Sequence, residues 1–183
     1  MSQQKKISFL ASGKRDLAPD MAALTARYGH VAPADADVIV TLGGDGFLLR
    51  MLHAHIGLKK PFYGLHRGTH GFLLNAYGPD DDLMAAINAA RPLTLHPLRM
   101  TAHTTDGTQS DAIAFNEVTL LRTGVQAAKI EISIDGAVRL PELVGDGALV
   151  ATPMGSTAYN LSAHAPSLPL HANMLAPTPI CLF

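Results

Sequence analysis

The chain has 183 residues, with 14 Lys and Arg against 15 Asp and Glu and a hydrophobic content of 48%. This length and apolar content suit one sizeable domain or two small ones, and the balanced charge, without long runs of either sign, lacks the electrostatic footprint of a nucleic-acid or anionic-membrane binder. No apolar run approaches the ~20 residues that span a bilayer, residues 1–12 are too interrupted for a signal peptide, and the lone Cys181 excludes an internal disulfide and a four-cysteine zinc site, so the cytoplasm is the expected location.

Residues 6–11 are predicted as a short buried strand, and 16–28, with Ala22, Ala23, Leu24 and Tyr28 at helical spacing, as a helix. A second buried strand is expected over 37–42, and a helix over 47–55 carrying Leu48, Leu49, Met51 and Leu52. Residues 62–65 give a third strand, followed by a glycine turn and an alanine-rich helix over 80–90. Strands alternating with helices predict an α/β unit with a mostly parallel sheet.

After Arg91-Pro92 the pattern changes. Segments 98–105 and 110–122 around Asp106-Gly107 read as one hairpin, and 129–134 with Ala137-Val138 around Asp135-Gly136 as another. A boundary is therefore expected near residue 92, with an α/β domain over 1–92 and a β-rich, sandwich-like domain over 93–183. Pro166, Pro169, Pro177 and Pro179 are expected to break any long element near the end. The apolar run from Ile180 to Phe183 reads as a strand entering a sheet that the chain does not finish, which makes the second domain incomplete.

The run Val-Thr-Leu-Gly-Gly-Asp-Gly-Phe-Leu-Leu, from Val40 to Leu49, leads a strand through a glycine loop into a helix, a geometry that holds phosphate. Gly43, Gly44 and Gly46 can take positive φ and admit close backbone approach. The run is not a P-loop, because Phe47 and Leu48 stand where Lys and Ser or Thr are required. It is not a dinucleotide fingerprint, which needs a small residue at Leu49 and an acidic one about twenty positions on. A carboxylate beside phosphate is unfavourable unless it binds a cation or takes a proton. Two roles are thus open to Asp45: base for a hydroxyl undergoing phosphorylation, or N-cap of a helix beginning at Gly46.

From Gly145 to Ser162 a strand over 148–152 is predicted to meet a turn at Pro153-Met154-Gly155 and then a helix starting around Ala158, which Ser156 or Thr157 would cap. Hydroxyls and free N–H groups at one helix start either bind phosphate or ribose oxygens or form an ordinary cap. Asn116-Glu117 interrupts an apolar run. Successive strand residues face opposite sides, so one of the two needs a partner, either a ribose or adenine edge or the arrangement of a bulge. Among the nine histidines, His53 and His55 are too close for one helical face and no His-Glu-x-x-His occurs, so no metal site is expected.

Taken in order, Gly43-Gly44-Asp45-Gly46, the segment from Gly68 to Leu73, Asn116-Glu117, and Asp146-Gly147 through Gly155-Ser156-Thr157-Ala158-Tyr159 resemble the NAD kinase family over residues 6–169. The Gly-Gly-Asp-Gly motif alone is shared with lipid and phosphofructokinase-like kinases; the Gly-Ser-Thr-Ala-Tyr segment with the Asn-Glu pair singles out NAD kinases. The resemblance implies that ATP, with Mg²⁺, phosphorylates the adenosine ribose 2′-hydroxyl of NAD, with Asp45 as base, Gly46 beside the substrate and Arg50 facing phosphate. It implies Asn116 and Glu117 on the adenosine, and Met154, Thr157, Ala158, Tyr159, Asn160, Leu161 and Ser162 around the NAD pocket. Asp146 would reach the nicotinamide end of NAD, bound to a neighbouring subunit of a homo-oligomer, dimer or tetramer. The family's second domain continues beyond Phe183. His66, His70, Met154, Ala165 and Ser167 depart from the family pattern. The alternatives are a related kinase acting on a lipid or sugar hydroxyl, and a non-catalytic remnant that at most binds a nucleotide.

Overall fold

The computed structural model describes residues 5–13, 15–66, 71–78 and 80–183, in two compact units, Met1–Pro92 and Leu93–Phe183. Gly68, Thr69 and His70 of the second glycine motif lie outside the described residues.

The first unit runs β1 (Ile7–Ala11), α1 (Ala18–Tyr28), β2 (Val38–Leu42), α2 (Asp45–Ala54), β3 (Phe62–His66), β4 (Asn75–Ala76) and α3 (Leu83–Ala89). The strands lie in the order β1-β2-β3-β4 and every pair is parallel. All five residues of β2 are buried, the mark of a parallel strand covered on both faces. Alternate residues Ile7 and Phe9 of β1 and Val38, Val40 and Leu42 of β2 share one face, and meet Leu24 of α1 and Leu83 and Ile87 of α3 in the core. The outer edge of β1 is engaged by the chain itself, Phe9 N–H donating to His30 Nδ1 at 3.1 Å and Val31 N–H to the Ile7 carbonyl at 3.0 Å.

Two helix starts shift inward from the sequence reading. Residues Arg15–Leu17 form a 3₁₀ turn ahead of α1, which then ends at Gly29 with φ +75°, where glycine is favoured. α3 begins at Leu83 because the Asp82 carboxylate accepts from the N–H groups of Met84 and Ala85.

The second unit runs β5 (Leu98–His103), β6 (Gln109–Ala114), β7 (Glu117–Leu121), β8 (Ala128–Ile134), β9 (Ala137–Ala151), α4 (Tyr159–Ser162) and β10 (Ala176–Leu182). β5 and β6 form an antiparallel hairpin. In its loop the Asp106 carboxylate accepts from the Thr104 hydroxyl and the Thr108 N–H, which hold its pKa down at about 2. The expected limb 110–122 is in fact two strands: the chain bends at Phe115-Asn116, and β7 leaves β6 to pair with β9.

Asp135 and Gly136, at φ +53° and +76°, make the tight turn between β8 and β9. The expected short strands 137–138 and 148–152 are one 15-residue strand, β9. Gly147 pairs with both Leu121 and Ile180, and Gly145 with both Ala128 and Leu182, so β10 lies along one edge of β9 while β7 and β8 follow each other along the opposite edge. The expectation that Pro177 and Pro179 break the chain fails, since both sit inside β10. Among the described residues β10 pairs only with β9, and proline is tolerated in an edge strand whose missing N–H faces away from its partner. The last apolar run is thus paired within this chain, and Leu149, Ala151, Ala176 and Ile180 bury one face of the sheet.

Phe9, only 1% exposed, anchors the first core. Phe9→Ala should destabilise the chain by about 3–5 kcal/mol, whereas loss of the cap in Asp82→Ala should cost about 1 kcal/mol. Equilibrium denaturation in urea checks both.

Candidate functional site

In the first unit the glycine loop carries the chain from buried Leu42 into α2. The N-cap position belongs to Gly44, in extended conformation with φ −110° and ψ 173°, and among the described residues no side chain caps the helix. The cap role for Asp45 is therefore overturned: it is the first helical residue and its carboxylate turns to the chain beyond β3. There Oδ2 accepts from the Phe72 N–H at 3.0 Å and Oδ1 from the Leu73 N–H at 3.1 Å. Each oxygen keeps capacity for a further donor, and the helix N-terminus favours the negative charge.

Among the described residues the positive-φ glycines are Gly29, Gly107 and Gly136, so Gly43, Gly44 and Gly46 serve otherwise than expected. A Cβ at Gly43 would press on Phe47 and the Ser12 hydroxyl at 3.1–3.2 Å, whereas at Gly44 and Gly46 it would meet nothing within 4 Å. Close packing explains the first, and the other two leave the loop surface bare for approach by a ligand. Arg50 is exposed, its guanidinium 5.7 Å from the centre of the Phe47 ring.

In the second unit the bend at Asn116 is locked by backbone contacts. The Asn116 carbonyl accepts from the Thr152 N–H at 2.8 Å, and a Cβ at Gly155 would lie 2.1 Å from that carbonyl oxygen, so glycine alone fits. Buried Thr152 pins both sides, its hydroxyl donating to the Phe115 carbonyl at 2.6 Å and accepting from the Gly155 N–H at 3.0 Å. Asn116-Glu117 is therefore a junction between two strand pairs, not a bulge, and it abuts the start of the Gly-Ser-Thr-Ala-Tyr segment. Thr152 escaped the sequence reading; its only signal was a hydroxyl residue where a buried strand enters a Pro-Met-Gly turn.

Glu117 Oε2 is buried without a hydrogen-bond partner among the described residues, and burial pushes this carboxyl above the ordinary carboxylate range. A ligand hydroxyl or amine would satisfy it. Asp146 is held by an ion pair from Arg122 Nε at 2.6 Å, and Arg122 also donates to the Gly124 carbonyl. Arg122 was not singled out from the sequence, because the pairing of β7 with β9 is what sets it beside Asp146.

The hydroxyls of Ser156 and Thr157 do not cap a helix. Ser156 donates to the Pro153 carbonyl at 2.7 Å and accepts from the Leu168 N–H at 2.8 Å, and Thr157 donates to the Met154 carbonyl at 3.4 Å. The residue before α4 is Ala158, and that helix has only four residues. Asn160 is fully buried, its Nδ2 donating to the carbonyls of Ser156 and Pro166 and its Oδ1 accepting from the Thr178 hydroxyl at 2.7 Å. Its side chain is committed to the fold, unlike the exposed Tyr159, Leu161 and Ser162. Met154 is buried, and with Phe115, Leu98, Thr152 and Met174 it lines a cavity of about 350 Å³ inside this unit.

The first unit thus holds a carboxylate set by backbone donors at a glycine loop after a parallel strand, and the β-rich unit holds a carboxyl with one buried oxygen that has no partner among the described residues. The ATP-NAD kinase C-terminal domain family matches residues 115–183. The NAD kinase of Caulobacter vibrioides is 52% identical over 178 residues, which is 97% of this chain and 68% of that protein. The NAD kinases of Xanthomonas campestris pv. campestris and Brucella suis are 48% identical over 181 residues and 50% over 177, covering 98% and 97% of this chain and 70% and 68% of theirs. Among solved structures, an NAD kinase from Archaeoglobus fulgidus in complex with ATP matches with a TM-score of 0.71 at 24% identity, over 97% of this chain and 73% of that one. Yeast NADH kinase complexed with NADH matches with a TM-score of 0.65 at 20% identity, over 97% and 66%.

This chain belongs to the NAD kinase family, and an α/β unit with a parallel sheet followed by an antiparallel, β-rich unit is the architecture it shares with those structures. It spans about 70% of the length of the bacterial relatives. Among the described residues no helix is long and apolar enough to cross a membrane.

The Glu117 carboxyl has a pH signature. Its raised pKa means that folding favours the protonated acid; the stability this confers is full below the unfolded pKa and is lost as pH rises through the folded one. Glu117→Gln should therefore raise Tm near about pH 8, with the gain closing toward about pH 4. Thermal unfolding of both proteins across that range measures it.

Proposed function

We propose that the chain transfers the γ-phosphoryl group of ATP to the 2′-hydroxyl of the adenosine ribose of NAD, giving NADP and ADP. The observation that carries the reading is the Asp45 carboxylate, oriented by two backbone N–H groups and still able to accept on both oxygens. In the reaction the ribose hydroxyl gives its proton to Asp45 as its oxygen bonds to the γ-phosphorus, and the bond from that phosphorus to the bridging oxygen of ADP breaks. The bare loop surface at Gly44 and Gly46, with Arg50 one turn on, takes phosphate.

Asn116 and Glu117 hold the adenosine, with the Glu117 oxygen that has no partner among the described residues accepting from it. Thr157, Ala158, Tyr159, Leu161 and Ser162 form the NAD-facing surface, with Asn160 as a strut beneath them and Met154 supporting the turn. Asp146, oriented by Arg122, reaches the nicotinamide end of NAD bound to a neighbouring subunit of a homo-oligomer. Mg²⁺ carried by the triphosphate would offset its charge beside Asp45; among the described residues no group of three or more His, Cys, Asp or Glu side chains is placed to hold a metal ion. The cytoplasm, where a single free cysteine stays reduced, is the expected compartment.

The test is NADP formation from NAD and Mg-ATP. Asp45→Asn should lower kcat by ~10²–10⁴ while NAD still binds. A chain shown by circular dichroism to be folded, yet forming no NADP, would overturn the reading.

A further inference from the structure

We infer that Gly64 and Leu74 are positioning residues for this phosphoryl transfer, because together they set the backbone that orients Asp45; the inference rests on the proposed role of Asp45 as base. Leu74 is 9% exposed and is wedged between two glycines. A Cβ at Gly64, within β3, would stand 2.1 Å from Leu74 Cδ2 and 3.4 Å from both Leu74 Cγ and the Leu73 carbonyl oxygen. On the other flank, a Cβ at Gly71 would stand 3.1 Å from Leu74 Cβ and 3.4 Å from its Cδ1. The side chain therefore fills the notch left by the absent side chain at 64 and packs close to the backbone at 71 on its other flank.

The residues just before Leu74 are Phe72 and Leu73, the two amide donors to Asp45. Those just after are tied to the same strand: Asn75 Nδ2 donates to the Gly64 carbonyl at 3.2 Å, and Asn75 and Ala76 pair with Leu65 and His66. The depth at which Leu74 seats on β3 thus sets where the two amides stand, and they set the rotation of the carboxylate. A methyl group at 64 needs Leu74 Cδ2 to move by more than an ångström to regain ordinary contact. Because Leu74 is buried, part of that movement is passed to the backbone at 72–73 and so to Asp45, and displacements of ~1 Å in reacting groups cost on the order of 10²-fold in rate.

The test uses the full chain, with Gly64→Ala, Leu74→Val and the double variant, which moves one methyl-sized volume from position 74 to 64. Tm, amide hydrogen exchange at Phe72 and Leu73 by NMR, and kcat and KM for NAD are measured on each. Gly64→Ala should accelerate exchange at both amides by about tenfold or more, while the amides of β1 and β2 keep their rates. It should lower kcat on the order of 10²-fold with KM for NAD moved less than about threefold, and the double variant should recover both readouts.

Unchanged exchange at Phe72 and Leu73 in a folded Gly64→Ala chain overturns the coupling, whatever the activity. Faster exchange with an unaltered kcat overturns the positioning role. Should Gly64→Ala not fold, Leu74→Val alone decides by the same two readouts. A wild-type chain that forms no NADP would sink the role of Asp45 itself, and the exchange rates would still decide whether Gly64 and Leu74 govern its donors.

Discussion

In the role proposed for Asp45, a carboxylate that takes a proton beside a triphosphate faces two demands: it must stay in place against repulsion, and it must keep lone pairs free. In this chain two consecutive backbone amides, from Phe72 and Leu73, meet both demands for Asp45. Charge-assisted bonds from N–H groups are stronger than neutral ones, and backbone donors carry no side-chain freedom that must be frozen. Their cost falls on the chain that presents them, which needs an exact seat on the parallel sheet. The first unit supplies this seat from the least conspicuous of its residues, the glycine in β3.

The second unit uses the same device in a different place. Where the Asn116 carbonyl meets Gly155, and the Leu120 carbonyl meets Gly147 with a Cβ there only 2.0 Å away, the main chains touch directly. Two segments far apart in sequence are thereby held at main-chain distance, with Thr152 bonded to both. The Asn-Glu pair and the Ser-Thr turn form one rigid surface because no side chain intervenes. Rigidity at that surface matters for a reaction whose rate comes chiefly from positioning.

Much of the first unit was legible. Alternating strands and helices, the apolar periodicities of β1, β2 and α1, and the loop from β2 into α2 all follow from local pattern, and the change of pattern after Pro92 coincides with the division into two units. The helix starts were less legible because caps compete. Aspartate is a strong N-cap by type, yet amides brought from 27 and 28 residues away claim Asp45 and leave the cap position to Gly44. Likewise Ser156 and Thr157 carry cap-type hydroxyls that the turn carbonyls and Leu168 N–H take instead. The unity of β9 was not legible from the separate short apolar segments 137–138 and 148–152, and Pro141 lies between them. Its strand continues because pairing with β8 shifts register between Ile130 and Ile132, where Pro141 falls between the paired residues Leu140 and Leu143. Arg122 was invisible for a simpler reason: its partner Asp146 is set beside it by strand pairing, and no local spacing records it.

The prolines of β10 have a consequence for what the side of that strand turned away from β9 can bond. An open strand edge grows by accepting another strand, donor against acceptor, along its whole length. Pro177 and Pro179 remove two alternate donors from the outward edge of β10 while leaving its bonds to β9 intact. A second strand arriving there would find acceptors without matching donors, and the ladder could not close. The same pair of residues that was expected to break the chain thus limits what this side of β10 can pair with.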